Sequence, residues 1–239
     1  MIRNLAKRFF PAWTTTLRAC QILAKETGLL RSCREKQCLD ANGGFLPWYT
    51  YPAIEMLKQW DFGKAVVFEY GSGNSTLFWS QRASRVFAIE EHTEWFDRVK
   101  SRMPANASIQ LARQQADYVN APRGIGVSPD VIIVDGRLRE ACSRVAVEVL
   151  KPGGLVILDN SDWYHGAAKI LREAGLIQID FTGFSPLNAF CSTTSFFLHR
   201  DFRIPSRTDR QPAPGVGAVA ISRRDDFDRD CFEPEVQGG

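Results

Sequence analysis

The chain has 239 residues, 44% of them hydrophobic, enough for one substantial α/β domain with additions at both ends that buries roughly 70 to 75% of its unfolded surface. Its 30 Lys and Arg against 27 Asp and Glu leave a net charge of +3, too mild to imply a nucleic-acid partner. The 6 cysteines form no C-x-x-C pair and have no zinc-ligand spacing to His, so reduced thiols are expected, and no run of about 18 apolar residues marks a transmembrane span.

Residues 1–44 read as a basic arm, with eight basic residues through Lys36 against only Glu26 and Glu35. Apolar positions at Ile2, Leu5, Phe9, Trp13 and Leu17, then Ile22, Leu23, Leu29 and Leu30, have a loosely helical spacing broken at Pro11, which predicts two short helices. Two placements stand open. The arm with Phe9, Phe10 and Trp13 lies on an anionic membrane surface as a peripheral contact, or, the commoner arrangement, its aromatic face packs on the domain. Pro11, Thr14 to Thr16, Arg18 and Lys25 interrupt any signal-peptide core, so a soluble, cytoplasmic protein is expected.

Asn42-Gly43-Gly44 is a loop signal, and Pro52 suits the first turn of a helix running to about Trp60. From Ala65 the pattern alternates. Strands are predicted at 65–69, 85–90, about 108–111, 130–135, 154–159, 176–182 and 193–199, and helices at about 75–82, 92–102, 138–150 and 165–174. Such alternation argues for a mostly parallel sheet with right-handed crossovers and helices on both faces, a domain spanning 45–200. The last two strands, with a ten-residue loop between them, suit an antiparallel hairpin. Residues 201–239 carry Pro205, Pro212, Pro214, Pro234 and a charge cluster from Arg223 to Glu235; they read as a loosely packed extension, with Val216 to Ile221 as a candidate edge strand.

The chemistry concentrates at Val66-Val67-Phe68-Glu69-Tyr70-Gly71-Ser72-Gly73-Asn74-Ser75-Thr76, an apolar run that ends in an acid and enters a two-glycine turn. The next apolar run, Val86 to Ile89, ends in a second acid, Glu90. In a parallel α/β sheet this pairing builds a nucleoside site, with glycines for close backbone approach and the second acid for the ribose hydroxyls. A dinucleotide fingerprint needs Gly or Ala where this chain has Thr76, and Glu69 would repel a pyrophosphate. Glu69 suits a cationic amino group, and S-adenosylmethionine carries an ammonium and a sulfonium but no phosphate. The bland alternative is a strand-to-turn junction whose glycines serve geometry alone.

The acid-x-Gly-x-Gly run with an acid after the next strand resembles the class I S-adenosylmethionine-dependent methyltransferases, and the strand order from Ala65 to about His199 is similar to theirs. The resemblance implies a Rossmann-like seven-stranded, mostly parallel sheet with an antiparallel last strand. It implies Glu69 for the methionyl amino end, Gly71 and Gly73 for backbone contact with Ser75 beside them, Glu90 for the ribose and Asp117 for the adenine amino group. A solvated, helix-capping Asp117 is the alternative.

Strand ends supply further acids, Asp135 and Asp159, where open α/β sheets bind ligands. Asp135 with Asp159-Asn160 resembles the ligand set of metal-dependent O-methyltransferases, which implies Mg²⁺ gripping the acceptor oxygens. The other reading is that both acids position substrate and Asn160 caps the following helix. The catalytic lysine of that family has no match, since Arg137 and Arg139 occupy its loop. His165, on the rim after the fifth strand, is a candidate general base beside Asp135; a cap or surface residue is its ordinary alternative. Gly183 to Phe190 and Trp48 to Tyr51 are candidate acceptor walls.

The expected function is therefore methyl transfer from S-adenosylmethionine to a hydroxyl of a small molecule or glycan. Two other readings are kept: a non-catalytic adenosyl-binding scaffold whose basic arm docks to a membrane or partner, and an aminopropyl-type transferase, which needs an acid cluster for a polyamine that Asp159 and Asp162 supply thinly.

Overall fold

A computed structural model describes residues 10–219. Its strands are β1 (Val66–Tyr70), β2 (Arg85–Glu90), β3 (Ala107–Leu111), β4 (Val131–Val134), β5 (Leu155–Leu158), β6 (Ile177–Phe184) and β7 (Cys191–Leu198). β4 and β5 are four-residue Val/Ile/Leu runs buried at every position, as central parallel strands covered on both faces require. All seven join one sheet in the order β3-β2-β1-β4-β5-β7-β6. The first five run parallel, and β7 inserts antiparallel between β5 and β6. The order reverses direction between β1 and β4, so a crevice opens beyond their carboxyl ends.

The helices are α1 (Pro11–Gln21), α2 (Leu29–Glu35), α3 (Tyr51–Leu57), α4 (Asn74–Ser80), α5 (Thr93–Lys100), α6 (Gln115–Asn120), α7 (Arg139–Val149) and α8 (His165–Glu173), with a π turn at Ile22–Glu26 linking α1 towards α2. Strand side chains alternate between faces, and the core divides accordingly. Val67, Ile133 and Ile157 pack with Ile54 and Leu57 of α3 and Phe78 and Trp79 of α4. Phe68, Tyr70, Ile132 and Val134 pack with Cys142 of α7 and Leu171 of α8. Each such apolar side chain contributes about 1.5 to 3 kcal/mol.

The structure alters several expectations. Pro11 opens α1 rather than breaking it, because a first-turn proline loses no helical hydrogen bond. α1 buries none of its residues, so the aromatic face does not pack on the domain among the described residues; Ile2, Leu5 and Phe9 lie outside them. β6 and β7 are longer than expected and leave only 185–190 between them, since the hairpin ladder continues to Phe184 and Cys191. The core reaches back to Cys38 and Leu46.

The extension also begins tightly bound. Asp61 N donates to Pro205 O and Arg207 N to Gln59 O, both at 2.8 Å, and Phe202 lies 4.9 Å from the Trp60 ring. Val216 sits in a turn and no strand forms through Val219; the rest of that candidate strand, and the Arg223 to Glu235 cluster, lie outside the described residues.

Candidate active site

Glu69, Glu90, Asp135 and Asp159 come together because of register. Val67, Val86, Ile133 and Ile157 belong to the core on one side of the sheet, so side chains two residues on, at Glu69, Ala88, Asp135 and Asp159, face the same side, and Glu90 follows Ala88. Parallel pairing places Glu69 beside Ile133, and Ile133 beside Ile157. Asp135 and Asp159 are therefore level, with Glu69 one side-chain layer deeper.

Glu69 is 1% exposed. Its Oε2 accepts from Thr76 Oγ1 at 2.5 Å, while the same hydroxyl accepts from Gly73 N at 3.0 Å, which joins the acid to the turn. Burial pushes its carboxyl up to about 8, against the Ser75 and Thr76 hydroxyls, with Asp135 and Glu90 adding to the rise. Among the described residues it has no cationic partner. Glu90 Oε1 accepts from the Glu91 and His92 amides at 3.0 and 3.1 Å, and its Oε2 accepts from Ser72 Oγ at 2.6 Å. The second acid is thus locked beside the first glycine turn.

Gly71 sits at φ +99°, in the left-handed region where side chains are strained. Gly73 is different: a Cβ there would meet only Trp95 Cζ2, at 3.6 Å. No protein atom demands glycine at 73, so the space it leaves belongs to the cleft. Trp95, in the first turn of α5, donates from Nε1 to Ser72 O at 2.8 Å and walls that space.

The cleft has a volume of about 370 Å³ and is lined by Ser72 to Ser75, Trp95, Asp135, Cys38, Trp48 and Leu187 among others. That volume falls in the range of small-molecule sites. Asn74 Nδ2 donates to Cys38 O at 3.1 Å, which fixes the end of α2 as one wall. Cys38 presents a neutral thiol, pushed up to about 12 by burial and then by Asp135 and Asp159.

The expected metal set is occupied by a side chain. Arg139, 8% exposed, donates to Asp135 Oδ1 and Asp135 O at 3.1 Å and to Asn160 Oδ1 at 3.5 Å, and also to Asp159 O. Its guanidinium stacks on Tyr164 with 4.1 Å to the ring centroid. Asp159 Oδ1 accepts from Thr194 Oγ1 at 2.5 Å. Among the described residues no group of three His, Cys, Asp or Glu could hold a metal ion. The expectation of Mg²⁺ at Asp135, Asp159 and Asn160 gains no support: the side-chain oxygens of Asp135 and Asn160 and the main-chain oxygen of Asp159 already accept from a buried guanidinium, and a divalent ion would have to displace it. Asn160 does not cap α8 either; it sits at φ 48° and its carbonyl accepts from Trp163 and Tyr164 N.

Asp135 keeps a partly open carboxylate. Burial raises it to about 6 against the pull of Arg139. Asp159 is raised further, by burial and then by Asp135. Of the expected residues, Gly73, Ser75 and Asp135 line the cleft, whereas Glu69, Gly71, Glu90, Asp159 and Asn160 are not among its lining residues but cluster at the strand ends beneath it; two expected residues stay outside this constellation altogether. Asp117 is exposed in the first turn of α6 and does not line the cleft. His165 is exposed at the first residue of α8 and does not line it either. Asp162 accepts from Thr193 N at 3.0 Å, so both acids of the aminopropyl reading are engaged by β7.

Sequence reasoning gave no site role to Arg139, Thr76, Trp95 and Gly136. A Cβ on Gly136 would fall 1.9 Å from Tyr118 Oη and 3.1 Å from Gly71 N. The Asp135-Gly136 dipeptide after an apolar run was the available signal.

No protein-family model matches the chain, and no curated protein matches it by sequence. Among solved structures it is similar to the O-methyltransferase TomG of Streptomyces achromogenes, involved in tomaymycin synthesis and determined in complex with S-adenosylmethionine. That likeness has TM-score 0.50 at 14% identity and covers 74% of this chain and 89% of TomG. The precorrin-6y C5,15-methyltransferase of Geobacter metallireducens GS-15 gives TM-score 0.47 at 18% identity, covering 62% of this chain and 87% of that one. An S-adenosylmethionine-dependent O-methyltransferase of Thermotoga maritima gives 0.48 at 16% identity, covering 62% and 63%. The fold is that of the class I methyltransferases, as the sequence pattern implied.

Proposed function

We propose that the chain is an S-adenosylmethionine-dependent methyltransferase acting on a hydroxyl of a small molecule or glycan. The observation that carries this reading is Glu69: a carboxylate 1% exposed, with no cationic partner among the described residues, at the base of a glycine turn on the cleft. A buried acid in that state favours a ligand that brings positive charge and disfavours one that brings phosphate. Glu90 lies beside Gly71 for the ribose hydroxyls, and the space at Gly73 admits a ligand against the backbone.

S-adenosylmethionine held here would supply an electrophilic methyl on a sulfonium leaving group. Glu69 holds the amino end, and Ser75 and Thr76 orient Glu69. Asp135, held by Arg139 with one face open to the cleft, takes the acceptor proton; a carboxyl near 6 is ionised at neutral pH yet more basic than a free one. Trp95, Trp48 and Leu187 exclude water and narrow the approach. Most of the rate comes from alignment of two reactants held close.

The test is calorimetric binding of S-adenosylmethionine to the parent protein, to Gly73→Asp and to Glu90→Ala. Binding to the parent, with at least about tenfold loss in each variant at unchanged circular dichroism, supports the reading. Tight uptake of NAD or ATP by the folded parent and none of the sulfonium compound ends it.

A further inference from the structure

α1 is an amphipathic helix on which nothing packs among the described residues. Phe10, just before it, and Trp13 and Leu17 within it recur at helical spacing along one stripe, and they are 63%, 70% and 65% exposed. Thr15 and Arg18 lie on other sides of the helix, and Arg18 is paired with Glu26 at 2.5 Å. Among the described residues α1 is held only at its C-terminal end, where it runs on into the π turn at Ile22–Glu26; a short helix is marginal in water, and a solvent-facing Trp, Phe and Leu stripe gives its eleven residues no support. Something that accepts aromatic side chains accounts for the stripe.

We propose that this face docks on an anionic membrane surface. Charge selects that occupant. Through Lys36 the sequence holds eight basic residues against two acidic ones, and Arg3, Lys7 and Arg8 precede the helix. Basic residues adjoining in sequence a helix with an exposed Trp, Phe and Leu face suit a negatively charged headgroup layer. A second copy of the chain would bring the same positive charge. Three large side chains also fall well short of the roughly 20 to 30 residues a side that stable protein interfaces use.

The consequence for the site follows from connectivity. α1 runs through the π turn into α2, and Lys36 to Cys38, just after α2, line the cleft. Docking holds the cleft near the lipid surface. The inference concerns the arm alone and stands whether or not the cleft transfers methyl groups.

The experiment is co-sedimentation of the full chain with phosphatidylcholine vesicles containing about 30% phosphatidylglycerol, at low and high salt. The parent sediments at low salt and is released by salt, and Trp13→Glu with Leu17→Glu loses at least about tenfold in partition. Both positions are exposed, so an unchanged thermal midpoint confirms folding of the double variant. Equal sedimentation of parent and double variant overturns the proposal, as does no binding by the parent. Concentration-dependent self-association in analytical ultracentrifugation, abolished by the double variant and without vesicle binding by the parent, assigns the stripe to a second copy and overturns it too.

Discussion

The Arg139 guanidinium stands 3.1 Å from the Asp135 carboxylate, in the space where the sequence pattern set a magnesium ion. The same head group is bound to the main-chain oxygen of Asp159 and to Asn160. A loop arginine that reads as a departure from a catalytic lysine is, in three dimensions, the counter-charge of the acid cluster.

Replacing Arg139 by Ala therefore leaves the buried Asp159 and the partly open Asp135 side by side without that guanidinium. We expect a loss of about 2 to 3 kcal/mol in urea unfolding at pH 7, less than the cost of stripping one partner from a fully buried pair because Asp135 stays partly open. A loss below about 1 kcal/mol would show that Arg139 contributes little. Magnesium and chelator should both leave the cofactor affinity of the parent unchanged.

Glu69 predicts a proton count. Burial raises its carboxyl from the ordinary 4.5 to about 8, so between those values the native state holds a proton that the unfolded chain has released. The sign follows: stability falls as pH rises through that window. Glu69→Gln should flatten this slope, seen in thermal midpoints from pH 5 to 8, and abolish cofactor binding. A cationic ligand favours the ionised acid, so binding at pH 7 should release a proton. Calorimetry in buffers of different ionisation enthalpy measures it; identical heats in all buffers would sink the assignment.

Gly136 gives a steric prediction. Gly136→Ala forces a methyl to within 1.9 Å of Tyr118 Oη and should cost about 1 to 3 kcal/mol by overpacking. Tyr118→Phe alone should be close to neutral, because that hydroxyl is buried without a hydrogen-bond partner among the described residues. The double variant should recover part of the loss, with the remainder due to the Gly71 and Tyr70 backbone at 3.1 Å. Additive losses in denaturant titrations would refute the clash.

Trp95 and Asp117 separate two accounts of the adenosyl wall. Trp95 lines the cleft beside Gly73, so Trp95→Ala should weaken cofactor binding about tenfold, the worth of one aromatic contact. Asp117→Ala should change it less than about threefold. The reverse ranking would restore Asp117 to the site.

By itself the sequence determined the fold class and marked acids at the carboxyl ends of four strands. Hydrophobic period and length mark the strands locally, and a period of two is enough to send Glu69, Asp135 and Asp159 to one face once the strands pair in register. It also marked Glu90 and the glycine turn, since backbone strain at Gly71 is a property of a few adjacent residues. Tertiary structure decided the rest. Whether Arg139 points into the acids, Thr76 back to Glu69, or Trp95 across the turn depends on helix placement and rotamer, which short-range pattern does not carry. Whether α1 packs or stands exposed depends on a surface elsewhere in the chain matching its stripe, and none among the described residues does. Local periodicity reports that a face is apolar; only the assembled molecule shows what, if anything, covers it.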